Sequence, residues 1–319
     1  MDYRNLRDLK VSAVGFGCMG FSHGYGALPE RKESIDLIRY AYDLGCNFFD
    51  TAEGYGNGHN EELVGSALKP MRNKVIIATK FKLSDEETDV YNCIKKHLQA
   101  SLSRLQTDYV DLYYWHRINR NISLREVAKA LGKLINEGLI RGWGISQADP
   151  DDIRVAQNET PLSAVQNEFS MMERMYEKEV IPLCEELNIG FVPFSPLGSG
   201  FLSGKYRPDD KYQGDDVRRV ITRFTPANML SNQPLIDLLE KYANKKKASK
   251  AQIALAWMLM KYPHLVPIPG MRTQERIVEN LGAADIVFRK EEIEKLDQDL
   301  ERIKIYGNRT DEDIATLYK

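Results

Sequence analysis

Short apolar runs alternate along the chain with amphipathic segments. Eight runs rich in Val, Ile and Phe recur in the order VSAVGFG, CNFFDTA, VIIATKF, VDLYYWH, IRGWGIS, AVQNEFS, GFVPFSP and LVPIPG. Each has the length and composition of a strand buried in a sheet. The segments between them, such as ESIDLIRYAYDLG and REVAKALGKLINEG, repeat apolar residues at three and four positions, which is typical of helices. The pattern therefore predicts a βα unit repeated eight times.

The eight units predict a single closed barrel of the α/β class. Right-handed crossovers between parallel strands can close such a series into a (β/α)8 TIM barrel of about 250 residues. No break long enough for a linker interrupts the series, so we expect one domain over residues 1–319. Three segments are additions to the barrel. They are YRNLRDLKVSAV, expected to form a hairpin across the barrel bottom, a long polar loop at 207–230 after the seventh strand, and a tail from about 305 to 319.

A polar loop of the length of 207–230 is usually either a lid or disordered.

The composition of the chain narrows the class of binding partner. The net charge of -2 gives no electrostatic case for nucleic acid or an anionic membrane, because both require a concentrated positive face. No apolar run is long enough to span a bilayer, and the charged start MDYRNLRDLK lacks the apolar stretch of a secretory signal. The four cysteines lie far apart and no H-E-x-x-H pattern occurs, so we expect no disulfide and no metal. We predict a cytoplasmic monomer with a small-molecule partner.

Two glycine-rich segments have part of the pattern of a nucleotide-binding motif, but neither matches its motif in full. GFGCMG has the spacing G-x-G-x-x-G, but a dinucleotide fold must enter a helix at once, and Pro29 and further glycines forbid a helix from Gly20. We interpret the segment as a strand end at the barrel mouth. A P-loop ending at Lys205 would need glycine where Ser199 stands and Ser or Thr where Tyr206 stands.

Polar residues that end the apolar runs should meet at the carboxyl ends of the strands. Asp50 ends the second run with Tyr55 shortly after it, Lys80 ends the third, and His116 ends the fourth. Taken singly, each has a structural explanation, such as a loop cap or a hydrogen-bonded histidine. Together they suggest chemistry, because a carboxylate keeps a lysine charged and a charged lysine favours phenolate, provided that the pair is buried. Such a tyrosine is a general acid for a carbonyl oxygen, and the histidine would orient the carbonyl or share the proton transfer.

Seven segments together resemble the aldo-keto reductase family from about residue 8 to about residue 300. They are FFDTAEGYGNGHNEELVGSAL, VIIATKF, LYYWH, GWGIS, VQNEFS, PFSPLGSGFLSGKY and IPGMRTQERIVENLGA. The resemblance implies a barrel that binds a nicotinamide cofactor without a Rossmann domain. It also implies that the catalytic tetrad of the family falls on Asp50, Tyr55, Lys80 and His116.

The resemblance further implies where the cofactor would bind. Ser146 and Gln166 match positions that hydrogen-bond the nicotinamide carboxamide, and Gln147 stands where the family usually has Asn. Other implied contacts are Gly17, Cys18, Met19 and Asp50 near the nicotinamide, Ser195, Leu197, Gly198, Ser199 and Lys205 at the pyrophosphate and ribose, and Glu279 and Asn280 at the adenine.

The segment GMRTQERIVEN favours NADP(H) over NAD. Arg272, Thr273 and Arg276 precede or enter a helix N-terminus, where free N–H groups and the helix dipole favour phosphate, and two arginines there suggest a 2'-phosphate. The alternative is an ordinary helix start with solvated arginines. A second basic group, Arg218, Arg219 and Arg223, either closes over the anionic cofactor or lies in a solvated loop.

These observations lead to the hypothesis of an NADPH-dependent carbonyl reductase acting on an aldehyde or a ketone. Phe21, Tyr25 and Trp115 either line its substrate pocket or serve plain packing. One alternative is a regulatory subunit that senses the cofactor, as some proteins with this fold do on ion channels. Another is a barrel lyase with a Schiff base on Lys80, which leaves the 2'-phosphate segment unexplained.

Overall fold

A computed structural model of the chain describes residues 2–85 and 89–318. Nine strands occur within these residues, and in chain order they are β1 (Tyr3–Leu6), β2 (Leu9–Ser12), β3 (Phe16–Gly17), β4 (Phe48–Asp50), β5 (Ile76–Phe81), β6 (Val110–Trp115), β7 (Ile140–Ser146), β8 (Ala164–Gln166) and β9 (Gly190–Phe191).

Helices follow the strands of the barrel. Those of α type within the described residues are α1 (Arg31–Asp43), α2 (His59–Leu68), α3 (Val90–Leu105), α4 (Leu124–Asn136), α5 (Pro150–Glu159), α6 (Val180–Glu186), α7 (Pro226–Ser231), α8 (Gln233–Lys246), α9 (Lys250–Lys261), α10 (Gln274–Leu281), α11 (Lys290–Glu301) and α12 (Asp311–Ala315).

Helix α4 shows how these helices form and pack. Ser123 caps its N-terminus by accepting a hydrogen bond from the backbone N–H of Glu126 at 3.4 Å. Its apolar residues Val127, Leu131 and Leu134 recur at helical spacing, and all three are fully buried. Each such side chain stabilises the fold by about 1.5–3 kcal/mol through removal of apolar surface from water. The helix is therefore held mainly by its packing against the sheet.

Strands β3 to β9 form one parallel sheet in sequence order, and the last apolar run closes it. Leu265 pairs with Phe191 of β9, and Gly270 pairs with Gly17 of β3. Pro267 and Pro269 have no N–H to donate, so this eighth segment contributes isolated bridges and not a continuous ladder. The prediction of a (β/α)8 barrel is confirmed.

The glycines of GFGCMG serve this closure. Gly15 N donates to the carbonyl of Pro267 at 2.9 Å, and Gly17 N donates to that of Pro269 at 3.1 Å. A Cβ on Gly17 would lie 2.6 Å from the carbonyl oxygen of Ile268, which is closer than real Cβ contacts allow. No long helix follows at once, because α1 begins only at Arg31. The segment is therefore a strand end at the barrel mouth, as predicted.

The N-terminal hairpin seals the bottom of the barrel. β1 and β2 are antiparallel, and Leu6, Leu9 and Val11 belong to the same buried cluster as the barrel interior. Arg4 donates from Nη1 to the carbonyls of Tyr262 and Leu265, each at 2.6 Å, just beyond the end of α9. The predicted hairpin is confirmed, and its buried leucines and valine fill the interior from below.

The segment expected at 207–230 as one long polar loop is shorter and partly helical. Helix α7 begins at Pro226, because proline favours the first turn of a helix. The remaining loop contacts the segment after β3: Val217 N donates to the carbonyl of Gly24 at 3.0 Å, and Gly24 N donates to Asp215 at 2.7 Å. The expectation of a loop up to residue 230 was therefore wrong.

The C-terminal tail packs against the same region. Tyr306 N donates to the side-chain amide oxygen of Asn232 at 2.9 Å, and the Asn232 amide donates back to the Tyr306 carbonyl at 2.9 Å. Asn308 exchanges hydrogen bonds with Thr222. Across residues 2–85 and 89–318, none of the helices combines the length and the apolar character needed to cross a membrane.

Candidate active site

Five polar side chains continue the inward-facing rows of neighbouring strands at the carboxyl end of the barrel. Side chains alternate between the two faces of a strand, so the residue two positions after a buried interior residue also faces the interior. Interior residues Phe48, Ala78, Tyr114 and Ala164 belong to one cluster. The polar residues that follow at the same alternation are Asp50, Lys80, His116, Ser146 of β7 and Gln166.

The ammonium of Lys80 joins several of these groups. The Lys80 side chain is 0% exposed, and its Nζ forms an ion pair with the Asp50 carboxylate. Nζ also donates to the backbone carbonyl of Thr51 at 2.7 Å and lies 3.3 Å from the hydroxyl of Tyr55. The other carboxylate oxygen of Asp50 accepts from Nε2 of Gln166 at 2.8 Å. Since water screens a buried pair only weakly, the ammonium charge acts directly on Tyr55.

Burial and charge set the protonation states around Tyr55. Burial alone would lower the pKa of Lys80, but Asp50 and Tyr55 outweigh it and raise that pKa. Burial raises the pKa of Asp50, although Lys80 and Gln166 oppose the rise. We take the pair as charged, because the Asp50 carboxylate accepts hydrogen bonds from both neighbours.

His116 lies against Tyr55 as a neutral imidazole. Burial lowers the pKa of His116 well below its usual value, and the charges of Lys80 and Arg117 lower it further. Its ring meets the ring of Tyr55 edge to face, with centroids 5.7 Å apart. The ring of His23, from the segment after β3, lies against Tyr55 from another direction at 5.3 Å. The Tyr55 ring is therefore held between two imidazoles and an ammonium.

A buried asparagine holds the loop that carries Tyr55. Asn60 accepts from the Thr51 hydroxyl at 2.6 Å and donates to the carbonyl of Cys18 at 2.8 Å and to the hydroxyl of Ser22 at 2.7 Å. Its backbone N–H donates to the carbonyl of Tyr55 at 3.2 Å. Asn60 thus connects the loop after β4 to the loop after β3.

Sequence reasoning did not select Asn60, His23 or Arg117, although all three lie at this site. Asn60 stands inside the polar segment GNGHNEE, where no sequence signal distinguished it, and only the structure shows that it is 0% exposed. Arg117 directly follows His116. No local pattern pointed to its contacts, because they reach the ends of other strands.

The residues expected at the carboxamide lie at the ends of β7 and β8. Ser146 is 0% exposed, and its hydroxyl oxygen accepts from Nη1 of Arg117 at 3.1 Å. Gln147 has a φ of 58° and its amide oxygen accepts from the Tyr176 hydroxyl at 3.2 Å. Ser146 and Gln166 are paired across the two strands, so the structure brings them together, whereas the amide of Gln147 is engaged by Tyr176.

The end of the first barrel strand lies beside Asp50. Cys18 N donates to the backbone carbonyl of Asp50 at 2.9 Å. Burial raises the pKa of the Cys18 thiol well above its usual value, which excludes a reactive thiolate at this position. Gly17 and Met19 are half-buried beside it, so this strand end presents small or flexible groups to the barrel mouth.

The loop after β9 forms a series of tight turns. Ser195, Gly198 and Ser199 have φ values of 49°, 57° and 55°, which lie in the left-handed region. Gly198 N donates to the carbonyl of Ser195 at 2.8 Å, and Leu197 anchors the loop by packing in the core. Such a chain of left-handed residues can hold an anion through its backbone N–H groups.

Two predicted phosphate ligands meet at Glu279 of α10. Nζ of Lys205 lies 3.7 Å from the Glu279 carboxylate, and Nη1 of Arg276 lies 3.4 Å from the same oxygen. Thr273 caps the helix by accepting from the backbone N–H of Arg276 at 3.3 Å. The structure therefore brings these two cations together at Glu279, in the second half of α10.

The Asn280 side chain supplies a test of whether a nucleotide fits here. It is 1% exposed, and neither its amide nitrogen nor its amide oxygen has a hydrogen-bond partner among the described residues. A buried amide without partners costs about 1–3 kcal/mol, so a ligand with complementary polar atoms would relieve a real penalty. An adenine carries both donor and acceptor atoms, and the site fits it.

Arg272, also expected at the phosphate, points elsewhere. Its guanidinium donates to the carbonyls of Tyr25 and Ala27, both at 3.0 Å. It therefore fastens the segment after β3 and does not join the cations at Glu279. Backbone carbonyls engage its planar donor groups, and a role of Arg272 at the phosphate stays a prediction.

Two of the three expected pocket aromatics are also placed away from the mouth. Trp115 is 0% exposed and lies in the core between sheet and helices, because it alternates with the inward-facing Tyr114 and His116. Phe21 is 1% exposed and stacks on Phe16 at 5.8 Å. The expectation that they line a substrate pocket is therefore wrong, and both serve packing.

The third aromatic, Tyr25, is half-buried beside the loop after β9. Burial raises its pKa, while Ser199, Arg309 and Arg218 oppose the rise. Two arginines of that loop, Arg218 and Arg223, are buried, whereas Arg219 is exposed. Arg218 pairs with Asp216 at 2.5 Å, and Arg223 pairs with buried Glu168 at 3.3 Å. Arg218 and Arg223 therefore do not lie in a solvated loop, while exposed Arg219 does, and closure of this group over the cofactor stays a prediction.

A family model and a curated relative each match most of the chain. The model of the Aldo/keto reductase family matches residues 13–301. A curated relative named "Probable aldo-keto reductase 1" from Glycine max is 38% identical over 296 residues, which cover 90% of this chain and 85% of the relative.

Solved structures agree. A glycerol dehydrogenase from Gluconobacter oxydans is 29% identical with a TM-score of 0.84, over 94% of this chain and 95% of that chain. An aldo/keto reductase from Klebsiella pneumoniae, solved in complex with NADP and acetate, is 27% identical with a TM-score of 0.75, over 97% of this chain and 98% of that chain.

Proposed function

Because this chain belongs to the aldo/keto reductase family, we propose that it is an NADPH-dependent oxidoreductase that reduces an aldehyde or a ketone to the alcohol. One observation carries the proposal: the hydroxyl of Tyr55 lies 3.3 Å from the ammonium of a fully buried Lys80. The same ammonium is paired with the Asp50 carboxylate. This is the environment in which a phenol becomes a general acid.

The choice of NADP(H) draws on this chain's own residues and on its relatives. Lys205 and Arg276, which meet at Glu279 of α10, would bind a 2'-phosphate, and the unpartnered amide of Asn280 would bind the adenine. Ser146 and Gln166 would hold the nicotinamide carboxamide at the barrel mouth. When bound, NADPH supplies the hydride that adds to the carbonyl carbon. Two structural relatives were solved with NADP or NADPH, which supports the same cofactor here.

Tyr55 then completes the reduction. As the carbonyl oxygen gains negative charge, Tyr55 donates its hydroxyl proton to that oxygen and becomes a phenolate. The Lys80 ammonium stabilises this phenolate, and Asp50 holds Lys80 charged and in position. The neutral imidazole of His116 donates a hydrogen bond to the same carbonyl oxygen and so orients the substrate. Asp50 and Lys80 are buried, and Tyr55 and His116 are half-buried above them, which supports these roles.

A Tyr55→Phe variant tests the proposal. We expect NADPH binding, followed by nicotinamide fluorescence, to stay within about twofold of the wild type. NADPH oxidation with a panel of aldehydes and ketones should fall by about 10²–10⁴-fold, the usual contribution of a general acid. Tyr42→Phe on α1 is the matched control and should change neither quantity.

Two outcomes would contradict the proposal. Wild-type turnover by the Tyr55→Phe variant would exclude Tyr55 as the acid. A wild-type chain that binds NADPH and oxidises it with none of the carbonyls would favour a cofactor-sensing subunit.

A further inference from the structure

Arg117 links the ends of several strands across the barrel mouth. It follows His116 at the end of β6, and its Nη1 donates to the His116 carbonyl at 2.6 Å and to the Ser146 hydroxyl oxygen of β7 at 3.1 Å. Its guanidinium carbon lies 5.7 Å from the ring centroid of Phe194, beyond β9. One side chain therefore contacts the catalytic histidine's backbone and the serine expected at the carboxamide.

The contact with Arg117 fixes the polarity of the Ser146 hydroxyl. A hydroxyl has one proton to donate and two lone pairs that accept, whereas a guanidinium only donates. Because Arg117 donates to one lone pair, the hydroxyl proton of Ser146 must point to a different acceptor. Ser146 is fully buried, so water is a poor candidate for that acceptor.

Gln166 has the opposite polarity. Its Nε2 donates to the Asp50 carboxylate at 2.8 Å, and an ionised carboxylate only accepts. The amide group of Gln166 is therefore oriented with its nitrogen toward Asp50 and its oxygen as the accepting end. The strand pairing places Ser146 and Gln166 side by side. Together they offer one donor and one acceptor to a carboxamide, which itself has one oxygen and one NH₂.

We propose that Arg117 is a positioning residue that holds the Ser146 hydroxyl as a donor to the carboxamide oxygen, and so determines which way the carboxamide faces. The inference rests on the proposed function, since it concerns the nicotinamide end of that cofactor. With its oxygen toward Ser146 and its NH₂ toward Gln166, the carboxamide has one rotation that satisfies both partners. Without Arg117, Ser146 can turn its proton away and no longer specifies that rotation.

Binding of two ligands by Arg117→Met and Ser146→Ala tests this. NADPH carries the carboxamide, and 2',5'-ADP, which is the other end of the molecule, does not. We expect each variant to bind NADPH about tenfold more weakly, which is the size of one well-placed hydrogen bond. Binding of 2',5'-ADP should stay within twofold of the wild type, and this also shows that each variant is folded.

The double variant Arg117→Met, Ser146→Ala supplies the decisive comparison. If Arg117 acts through Ser146, the double variant should bind NADPH no more than about twofold worse than either single variant. Additive losses of about a hundredfold would overturn the proposal, because Arg117 would then act independently of Ser146. Arg117→Met binding NADPH as the wild type does, or losing 2',5'-ADP to the same extent, would overturn it too.

Two further variants separate this role from simple charge. Arg120→Met, an exposed arginine three positions along, is the matched control and should bind both ligands normally. Arg117→Lys keeps a positive charge but loses the planar group that reaches two oxygens from one nitrogen, so we expect it to restore little NADPH affinity. Full restoration by lysine would contradict the proposal.

Failure of this proposal is distinguishable from failure of the proposed function. If wild-type chain oxidises NADPH with carbonyls and Tyr55→Phe does not, the proposed function stands whatever the Arg117 variants show. A loss of turnover in Arg117→Met confined to carbonyls that carry a carboxylate, with NADPH affinity unchanged, would identify Arg117 as a substrate contact and overturn the positioning role.

Discussion

Lys80 shows how much one side chain depends on its partners at this site. Its ammonium has no exposed surface and is held by the Asp50 carboxylate and the Thr51 carbonyl. Removal of either member of such a pair leaves an uncompensated buried charge, which typically costs about 3–5 kcal/mol. The residues that surround the Tyr55 hydroxyl are therefore also residues on which the stability of the barrel depends.

His116 supplies a prediction about stability and pH at the same scale. Its folded pKa lies below the unfolded value, so the unfolded chain binds more protons and stability falls as the pH drops below the unfolded pKa of about 6.5. His116→Gln removes this proton uptake. The dependence of the free energy of unfolding on pH, measured by urea titration between pH 7 and 5, should become shallower by up to about 1.4 kcal/mol per pH unit.

The remaining slope of that variant has other sources. Burial also lowers the pKa of His23 and of His264, so both contribute in the same direction. Slopes that are identical in the variant and in the wild type would mean that His116 is protonated in the folded protein, and its assigned role as a neutral donor would fail.

At the scale of elements, helix α10 and the loop after β9 each supply one cation to the proposed phosphate site. Lys205 comes from the loop and Arg276 from the helix. Glu279 forms ion pairs with both, which fixes their positions but also makes its carboxylate their present partner. A phosphate at this position would compete with Glu279 for its two partners. Displacement of Glu279 by a phosphate would cost little free energy, because partly exposed ion pairs stabilise by about 1 kcal/mol or less.

Arg276→Met tests this division. We expect NADPH affinity to fall about 10–100-fold, the range for a charge-assisted hydrogen bond, while NADH affinity changes less than twofold. Fluorescence titration with both nucleotides measures it, and Arg302→Met, which is exposed at the end of α11, is the control. Equal losses for the two nucleotides would place the 2'-phosphate elsewhere.

For the whole molecule, closure of the barrel depends on small residues where backbones approach. Gly17 faces the backbone carbonyl of Ile268, which lies between Pro267 and Pro269, two residues without an N–H donor. Gly17→Ala should lower the free energy of unfolding by about 1–3 kcal/mol, as overpacking does. Urea unfolding checks this, with Gly54→Ala as control, because an added Cβ there meets nothing within 4 Å. Equal stability of the two variants would show that the closure can relax.

Several expectations about the whole molecule stay predictions. They are a single domain over residues 1–319, a monomer and a cytoplasmic location. Hydrogen bonds to Asn232 and Thr222 attach the tail to the segment between β9 and α8, which favours a single domain. Sedimentation of the purified chain would decide the oligomeric state.

The sequence by itself determined the barrel, the hairpin and the inward-facing polar residues, because strand and helix periods are written in neighbouring positions. The same alternation excluded Trp115 from the interior once His116 was placed there, and this signal was present in the sequence. Only the tertiary structure decided that Arg117 meets Ser146, that Arg272 turns to Tyr25 and Ala27, and that Asn60 joins two loops. These contacts join residues of different strands and loops. Which side chains meet depends on how closure of the sheet aligns the strand ends, and no local pattern encodes that alignment.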